Sequence, residues 1–119
     1  MKPHKNLLAW QKSMNLVTHI YVLTAEFPRE ELYGLTSQLR RAAVSVPSNI
    51  AEGAADRTKE QFRHFLGVSI GSLNEVSTQL EIAYRIGYLN ETEHGRAERK
   101  VDECLALTFG LRRSLMKRP

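Results

Sequence analysis

The side chains most able to carry acid–base, metal or thiol chemistry are few and lie far apart along the chain. Its four histidines, His4, His19, His64 and His94, fall in four separate segments. A di-iron helical bundle needs a Glu-x-x-His motif on each of two helices, and the chain does not carry two such motifs. Cys104 is the only cysteine, so neither an internal disulfide nor a cysteine-based zinc site can form. We therefore expect no enzyme activity, no metal and no cofactor.

Nucleotide-binding loops are also absent from the sequence. There is no GxxxxGK[ST] loop and no glycine-rich turn that follows a strand, so nucleotide binding by those routes is not expected. Gly67 and Gly71 have the GxxxG spacing, which outside a membrane span predicts a close approach of another helix. Cys104 falls on the inner face of a predicted helix and is interpreted as a small core residue.

Clustered lysines and arginines are the feature that points to a class of ligand. The chain carries 17 Lys and Arg against 13 Asp and Glu, a net charge of +4, and the excess lies near the two chain ends. In an up-down-up-down bundle, the start of the first helix, the second connection and the end of the fourth helix share one pole. This pole, called the basic end below, consists of Lys2, Lys5, Arg57, Lys59, Arg63, Arg112, Arg113, Lys117 and Arg118.

A group of cations at one end suits a polyanion, because each phosphate that is neutralised releases counterions. Charge patterns of this strength are also typical of an ordinary solvated helical surface. The charge pattern alone is compatible with both interpretations.

A second polar group, called the polar seam below, lies between the second and the third helix. It consists of Arg40, Arg41, Asn49, Glu52 and Glu75, with Ser69, Ser72 and Gln79 beside it on the third helix. We expect Arg40 or Arg41 to meet Glu52 or Glu75, between helices or between subunits. Removing one partner of such a buried pair is costly, whereas the pair itself is weak evidence for stability.

Four helices must position these groups. The expected ranges are 6–26, 36–53, 58–86 and 92–117. Asn6 is a plausible N-cap of the first helix. Thr58 and Gln61 have the capping-box spacing at the start of the third, and Gly87 is a suitable C-terminal glycine.

Apolar side chains at spacings of three and four predict the buried faces. On the first helix these are Leu7, Trp10, Met14, Val17, Tyr21 and Thr24. On the second helix the apolar line resumes in phase at Ile50, beyond Pro47. A single helix kinked at Pro47 is therefore preferred to two short helices that meet there.

The predicted fold is all-α, an antiparallel up-down-up-down four-helix bundle that forms one domain over residues 1–119. Hydrophobic residues make up 42% of the chain, which is enough for a core of its own. No apolar run is long enough to span a membrane, and the N-terminus lacks the apolar segment of a signal peptide. The cytoplasm is the expected location.

The longest motif is the run at 35–53, LTSQLRRAAVSVPSNIAEG, and it closely resembles the hallmark of the four-helix-bundle proteins encoded in intervening sequences of bacterial 23S ribosomal RNA genes. Further matches flank it: Trp10-Gln11, Phe27-Pro28, Glu31, Tyr33-Gly34, Phe65-Leu66, residues 71–75 and residues 79–83. The resemblance covers nearly the whole chain.

The resemblance implies an antiparallel four-helix bundle that assembles as a barrel-shaped homopentamer. A related accessory protein of diversity-generating retroelements binds nucleic acid and a reverse transcriptase through a basic surface. Most members lack an established biochemical role, and their label as ribosomal proteins reflects gene location. By this resemblance, the partners to expect are further copies of the chain, RNA or DNA, a reverse transcriptase, or ribosomal RNA.

Three hypotheses follow. The first is a non-enzymatic homo-oligomer, a pentamer by resemblance, that binds RNA or DNA through the clustered basic residues. The second is a protein-interaction scaffold without affinity for nucleic acid. The third is association with the ribosome or its RNA. The ring symmetry of the first would repeat the basic end several times and make a weak patch multivalent.

Overall fold

Four α-helices and two short 3₁₀ turns make up the computed structural model, which describes residues 2–55 and 57–116. The elements are a 3₁₀ turn Pro3–Asn6, α1 Leu8–Thr24, a 3₁₀ turn Arg29–Glu31, α2 Leu35–Ala54, α3 Lys59–Arg85 and α4 Glu91–Ser114. No strand occurs in these two ranges, so the all-α prediction is confirmed. None of the described helices is long and apolar enough to cross a membrane.

The packing of the helices is that expected of a bundle. Each helix packs against the next along the chain, and α4 also packs against α1. The buried apolar residues form one continuous cluster, to which every helix contributes. The molecule measures 50 × 22 × 22 Å, so its two ends lie several screening lengths of about 8–10 Å apart at physiological salt.

The ends of α3 are fixed by local hydrogen bonds, as the sequence predicts. At its start, Gln61 N donates to Thr58 Oγ1 over 3.1 Å and Thr58 N donates to Gln61 Oε1 over 3.0 Å, a complete capping box. At its end, Gly87 has a φ of +88°, which glycine adopts without strain. This turn lets Tyr88 N donate to Ala83 O over 2.8 Å, which satisfies a carbonyl of the last turn.

The helix starts were predicted less well. Asn6 is not the N-cap of α1, because it closes the preceding 3₁₀ turn and α1 begins at Leu8 without a side-chain cap. α4 begins with a second capping box, in which Glu93 N donates to Asn90 Oδ1 over 2.8 Å. This capping box was not predicted. In both cases the local hydrogen bonds, rather than the apolar period, set the helix boundary.

The buried face of α1 is rotated from the predicted one. Ala9, Ser13, Leu16, Ile20 and Thr24 are buried. Met14 and Tyr21, which were expected inside, are 39% and 43% exposed. Serine and threonine can occupy this face because each hydroxyl donates to the carbonyl four residues back: Ser13 to Ala9 over 2.6 Å, and Thr24 to Ile20 over 2.7 Å. Thr24 was predicted on the buried face, and that prediction is confirmed, whereas Ser13 was not included.

α2 runs without interruption from Leu35 to Ala54 and contains Pro47, which is buried. The alternative of two short helices meeting at Val46 and Pro47 is therefore wrong. The kink at Pro47 stays a prediction.

The expected close approach at Gly67 and Gly71 does not occur within the chain. Among the described residues, a Cβ on Gly71 would meet nothing within 4 Å, and one on Gly67 would meet Arg112 Nε at 4.0 Å. The tight contact lies instead at Gly53, where a Cβ would come within 2.7 Å of Phe62 Cδ1 and 2.9 Å of Phe65 Cβ. The end of α2 therefore packs closely on the first turns of α3.

Candidate nucleic-acid interface

The start of α3 and the end of α4 meet at the basic end. Arg63 Nη1 donates to the carbonyl of Leu115 over 2.9 Å. Arg112 Nε lies 4.0 Å from the place that a Cβ on Gly67 would occupy. The first turns of α3 and the end of α4, distant in sequence, are thus neighbours in space.

The first residues of the chain reach the same end. Trp10 of α1 and Ala51 of α2 line one groove, so the start of α1 lies beside the end of α2. The 3₁₀ turn Pro3–Asn6 packs against both helices. The N-terminal turn, which contains Lys5, therefore lies against the pair of helices formed by α1 and α2. Lys117 and Arg118 lie outside the described residues.

Two arginines of the basic end are engaged in holding the fold. Arg57 donates from Nε to Glu52 O over 3.0 Å, forms an ion pair with the Glu52 carboxylate, and lies over the Phe65 ring at 5.0 Å. Arg63 donates to Leu115 O as described above. Both guanidinium groups reach the C-terminal end of a helix, Arg57 that of α2 and Arg63 that of α4, where a cation is favoured by the helix dipole. Part of their hydrogen-bonding capacity is therefore used within the fold.

The remaining described cations of the basic end point to solvent. They are Lys2, Lys5, Lys59, Arg112 and Arg113. All five are exposed, and none forms an ion pair with another described residue. Arg112 and Arg113 line an open cleft of about 220 Å³ together with Phe109 and Met116. This arrangement can take a negatively charged, elongated ligand.

The polar seam does not form the pairs that were expected. Arg40 Nε donates to Thr24 Oγ1 over 2.8 Å, and its guanidinium carbon lies 4.5 Å from the centre of the Tyr21 ring. Arg40 therefore faces α1 rather than α3. Arg41 is exposed and forms no ion pair with a described residue.

The acidic and amide members of the polar seam have other partners. Glu52 pairs with Arg57, Asn49 Nδ2 donates to Ser45 O over 2.8 Å, and Glu75 accepts from Gln79 over 3.3 Å. Arg40 and Glu52 lie about three helical turns apart on α2, roughly 18 Å, which their side chains cannot bridge. The expected arginine–glutamate pairs are therefore wrong within the chain.

Hydrogen bonds do join α2 to α3, as the sequence indicated. Ser72 Oγ donates to Ser45 Oγ over 2.9 Å, and Ser69 Oγ donates to Val46 O over 2.8 Å. These two serine hydroxyls have partners on the facing helix, as buried polar groups usually do.

His94 lies in a partly buried group of ionisable side chains between α3 and α4. His94 Nε2 lies 3.7 Å from a carboxylate oxygen of Glu81 and 3.7 Å from one of Glu98, and its ring stacks on Tyr84 at 4.6 Å. Burial raises the pKa of Glu98, and the hydrogen bonds from Ser77 oppose this change. Within 2–55 and 57–116, no group of three or more His, Cys, Asp or Glu side chains is arranged to hold a metal ion.

Cys104 is 1% exposed, which confirms its interpretation as a core residue. Burial raises the pKa of its thiol. The reactive thiolate is therefore disfavoured at neutral pH.

One exposed region, where α1 ends and α2 begins, was not predicted from the sequence. Tyr21 was assigned to the core, and Tyr33 was noted only as part of the family motif. Tyr33 is 94% exposed, the largest exposed fraction among the apolar and aromatic side chains of the described ranges. The sequence signal that could have indicated this exposed site is an aromatic residue, Tyr33, followed by a glycine in the connection between two helices.

Three comparisons place this geometry among known proteins. A family model described as 23S rRNA-intervening sequence protein matches residues 5–110. A solved structure of a protein with unknown function from the S23 ribosomal protein family of Bacteroides thetaiotaomicron superposes with a TM-score of 0.81. The two chains are 20% identical, and the match covers 87% of this chain and 97% of the other, so the likeness shows the fold. No curated protein matches the chain.

Proposed function

The chain belongs to the 23S rRNA-intervening sequence protein family, and from this premise we propose that it is a non-enzymatic homo-oligomer that binds RNA or DNA through the basic end. One observation carries the proposal: Lys2, Lys5, Lys59, Arg112 and Arg113 are exposed, and none forms an ion pair with another described residue. The contact of Arg63 with Leu115 and the groove shared by Trp10 and Ala51 support placing them at one end of the molecule. A long polyanion would neutralise them and release its counterions.

The chemistry of the basic end favours contact with phosphates rather than with base edges. Its exposed groups are flexible lysines and arginines, which position a nucleic acid but carry little sequence information. Phe109 is the aromatic residue that lines the cleft beside Arg112 and Arg113. We therefore expect affinity that depends steeply on salt and little on sequence.

Assembly belongs to the same proposal. Pentameric symmetry, implied by the family resemblance, would present five basic ends to one ligand and raise its apparent affinity. An open apolar groove of about 370 Å³ between α1 and α2 supports a protein contact on the side of the bundle, and it is lined by Trp10, Met14, Val17, Val44, Pro47, Ser48 and Ala51.

The proposal also includes the finer details of the fold. Three pairings support an up-down-up-down order: Trp10 with Ala51, Arg63 with Leu115, and Tyr88 with Glu31, whose hydroxyl and carboxylate lie 2.8 Å apart. We include a bend of α2 at Pro47, because proline lacks the N–H that would bond to the preceding turn.

The first test is a binding titration of the purified, nuclease-treated protein. Labelled single-stranded RNA and duplex DNA are followed by fluorescence anisotropy at about 50 and 200 mM salt, a range over which several phosphate contacts change affinity by orders of magnitude. Saturable binding that weakens steeply with salt supports the proposal, and sedimentation of the same sample gives the oligomeric state. Absence of binding at 50 mM salt would reject nucleic acid as the ligand.

The second candidate function is a protein-interaction scaffold, which the apolar groove between α1 and α2 favours. It predicts negligible affinity for nucleic acid at physiological salt. A defined partner protein would then be recovered by pull-down, and substitution of Met14 or Val44 by aspartate would abolish its capture.

A further inference from the structure

A second cationic site lies where α1 ends and α2 begins, away from the basic end. Two adjacent cavities of about 340 and 490 Å³ share Leu32 and Arg40 in their walls. Their volumes fall within the roughly 300–1,000 Å³ that is common for small-ligand sites. Three arginines line them, Arg29, Arg40 and Arg41, and no Asp or Glu lines either one. The site therefore suits an anion.

Arg40 is already fixed in this site. Its Nε donates to Thr24 Oγ1 over 2.8 Å, and its guanidinium carbon lies 4.5 Å above the centre of the Tyr21 ring. Thr24 is itself held by donating to Ile20 O over 2.7 Å. The terminal nitrogens of Arg40 make no hydrogen bond to another described residue. A phosphate could therefore bind to them without the entropy cost of ordering a free arginine.

Tyr33 supplies an aromatic face beside these cations. Its ring is 94% exposed and lines the larger cavity together with Arg40, Arg41 and Ser37. An arginine pair next to an exposed tyrosine combines the two features by which proteins hold single-stranded nucleic acid, namely phosphate neutralisation and stacking of an unpaired base.

We propose that this arginine–tyrosine cleft binds one nucleotide of a single strand, with its phosphate at Arg40 and Arg41 and its base stacked on Tyr33. The inference goes beyond binding at the basic end, because it adds discrimination between single strands and duplexes. In a duplex the bases are stacked on each other and cannot reach Tyr33. Single strands and duplexes can both make phosphate contacts at the basic end.

A second copy of the chain is the competing occupant of the cleft, since tyrosine and arginine are also frequent at protein interfaces. The cleft walls argue for nucleic acid instead. They concentrate positive charge without a carboxylate, and an identical partner would have to bring an acidic surface to match it. The test below separates the two occupants.

The experiment compares a labelled 12-nucleotide single-stranded RNA with a DNA duplex of the same length, by anisotropy at 50 mM salt. Tyr33→Ala is expected to lower the affinity for the single strand about tenfold, which corresponds to one base that no longer stacks, and to change duplex binding less than twofold. Tyr33→Phe keeps the ring and should restore single-strand binding. Circular dichroism verifies that each variant is folded.

Arg41→Gln should also weaken single-strand binding, and Arg96→Gln is its matched control, because Arg96 is exposed on α4 outside the cleft. An equal effect of Tyr33→Ala on single strand and duplex would overturn the proposal. The proposal would also be overturned if Tyr33→Ala kept its affinity for the single strand but changed in sedimentation. That result would assign the cleft to a second copy of the chain. If Arg112→Gln with Arg113→Gln leaves both affinities unchanged while Tyr33→Ala lowers the single-strand affinity, binding at the basic end is rejected and binding at the cleft is supported.

Discussion

The side chains that satisfy helix ends differ between the two ends of the molecule. At the basic end, arginines donate to carbonyls where helices finish: Arg57 to Glu52 at the end of α2, and Arg63 to Leu115 at the end of α4. At the other end, side-chain oxygens accept where helices start: Glu31 Oε1 accepts from Leu35 N over 3.1 Å, and the amide oxygen of Asn90 accepts from Glu93 N. Thr58 supplies such an acceptor at the basic end too, at the start of α3.

This difference separates structural charge from available charge. Cations are favoured at helix C-termini, so part of the positive charge at the basic end serves the fold itself. Arg57 and Arg63 belong to that part, because each donates to a carbonyl at a helix end. Arg112 and Arg113 lie in the last turn of α4, where the helix dipole also favours a cation, but they are exposed and their side chains donate to no other described residue. Only this second kind of charge is evidence for a ligand.

The largest effect is expected where the basic end is packed most tightly. Gly53→Ala places a methyl group 2.7 Å from Phe62 Cδ1 and 2.9 Å from Phe65 Cβ, so the two rings must move. We expect the free energy of unfolding to fall by about 1–3 kcal/mol, the usual cost of overpacking. Urea denaturation measures it.

Gly71→Ala is the matched control, because a Cβ there meets nothing within 4 Å of the same chain. It should raise stability by about 0.5–1 kcal/mol through helix propensity. A destabilised Gly71→Ala protein would show that another copy packs against this position.

The next effect distinguishes the two kinds of arginine. Arg63→Gln removes a charged hydrogen bond to the Leu115 carbonyl and should cost about 1 kcal/mol of unfolding free energy. Arg113→Gln, on an exposed site, should change it by less than about 0.5 kcal/mol. Thermal or urea denaturation measures both values. Equal losses of unfolding free energy in the two variants would mean that the proposed division between structural and available cations is wrong.

The smallest expected effect concerns the other end and depends on pH. The hydrogen bonds from Leu35 N and from the Tyr88 hydroxyl lower the pKa of Glu31 below its ordinary 4.5. A lowered pKa in the folded state means that the unfolded state binds the proton more readily. Stability from Glu31 is thus fully present above pH 4.5 and is lost as the pH falls through the folded pKa.

Glu31→Gln should therefore destabilise the protein at neutral pH and converge with the wild type in strong acid, which denaturation curves across this range would show. Glu30→Gln is the control on the same 3₁₀ turn. A constant difference between Glu31→Gln and wild type at every pH would refute the assignment of this pKa.

The helices were easier to predict from the sequence than the side-chain partners. Apolar spacing and the Thr58–Gln61 box located α3, because those determinants are local. The buried face of α1 was misassigned in part, since Ser13 buries a hydroxyl bonded to its own helix, a detail that a hydrophobicity pattern does not contain. Likewise, the partner of Arg40 is Thr24 of α1, and only the packing of the two helices decides that choice.

The basic end as a set stays a prediction, because it depends on the proposed order of the helices. The partners of two of its arginines are visible only in the structure. Sequence could not tell that Arg57 and Arg63 are engaged, because their partners are a carboxylate at the end of α2 and a carbonyl at the far end of α4. The cleft at Tyr33 was missed because exposure of an aromatic ring is a property of the folded molecule.

The most direct test of binding at the basic end compares the salt dependence of RNA binding in two double variants. Arg112→Gln with Arg113→Gln removes two cations from the basic end, and Arg96→Gln with Arg99→Gln removes two exposed cations from the other part of α4. We predict that the first lowers the slope of log affinity against log salt by about 1.4 for a single strand, roughly 0.7 for each phosphate that is no longer neutralised, and that the second leaves the slope unchanged. Equal changes in both variants would contradict this prediction, because binding would then follow net charge rather than the basic end.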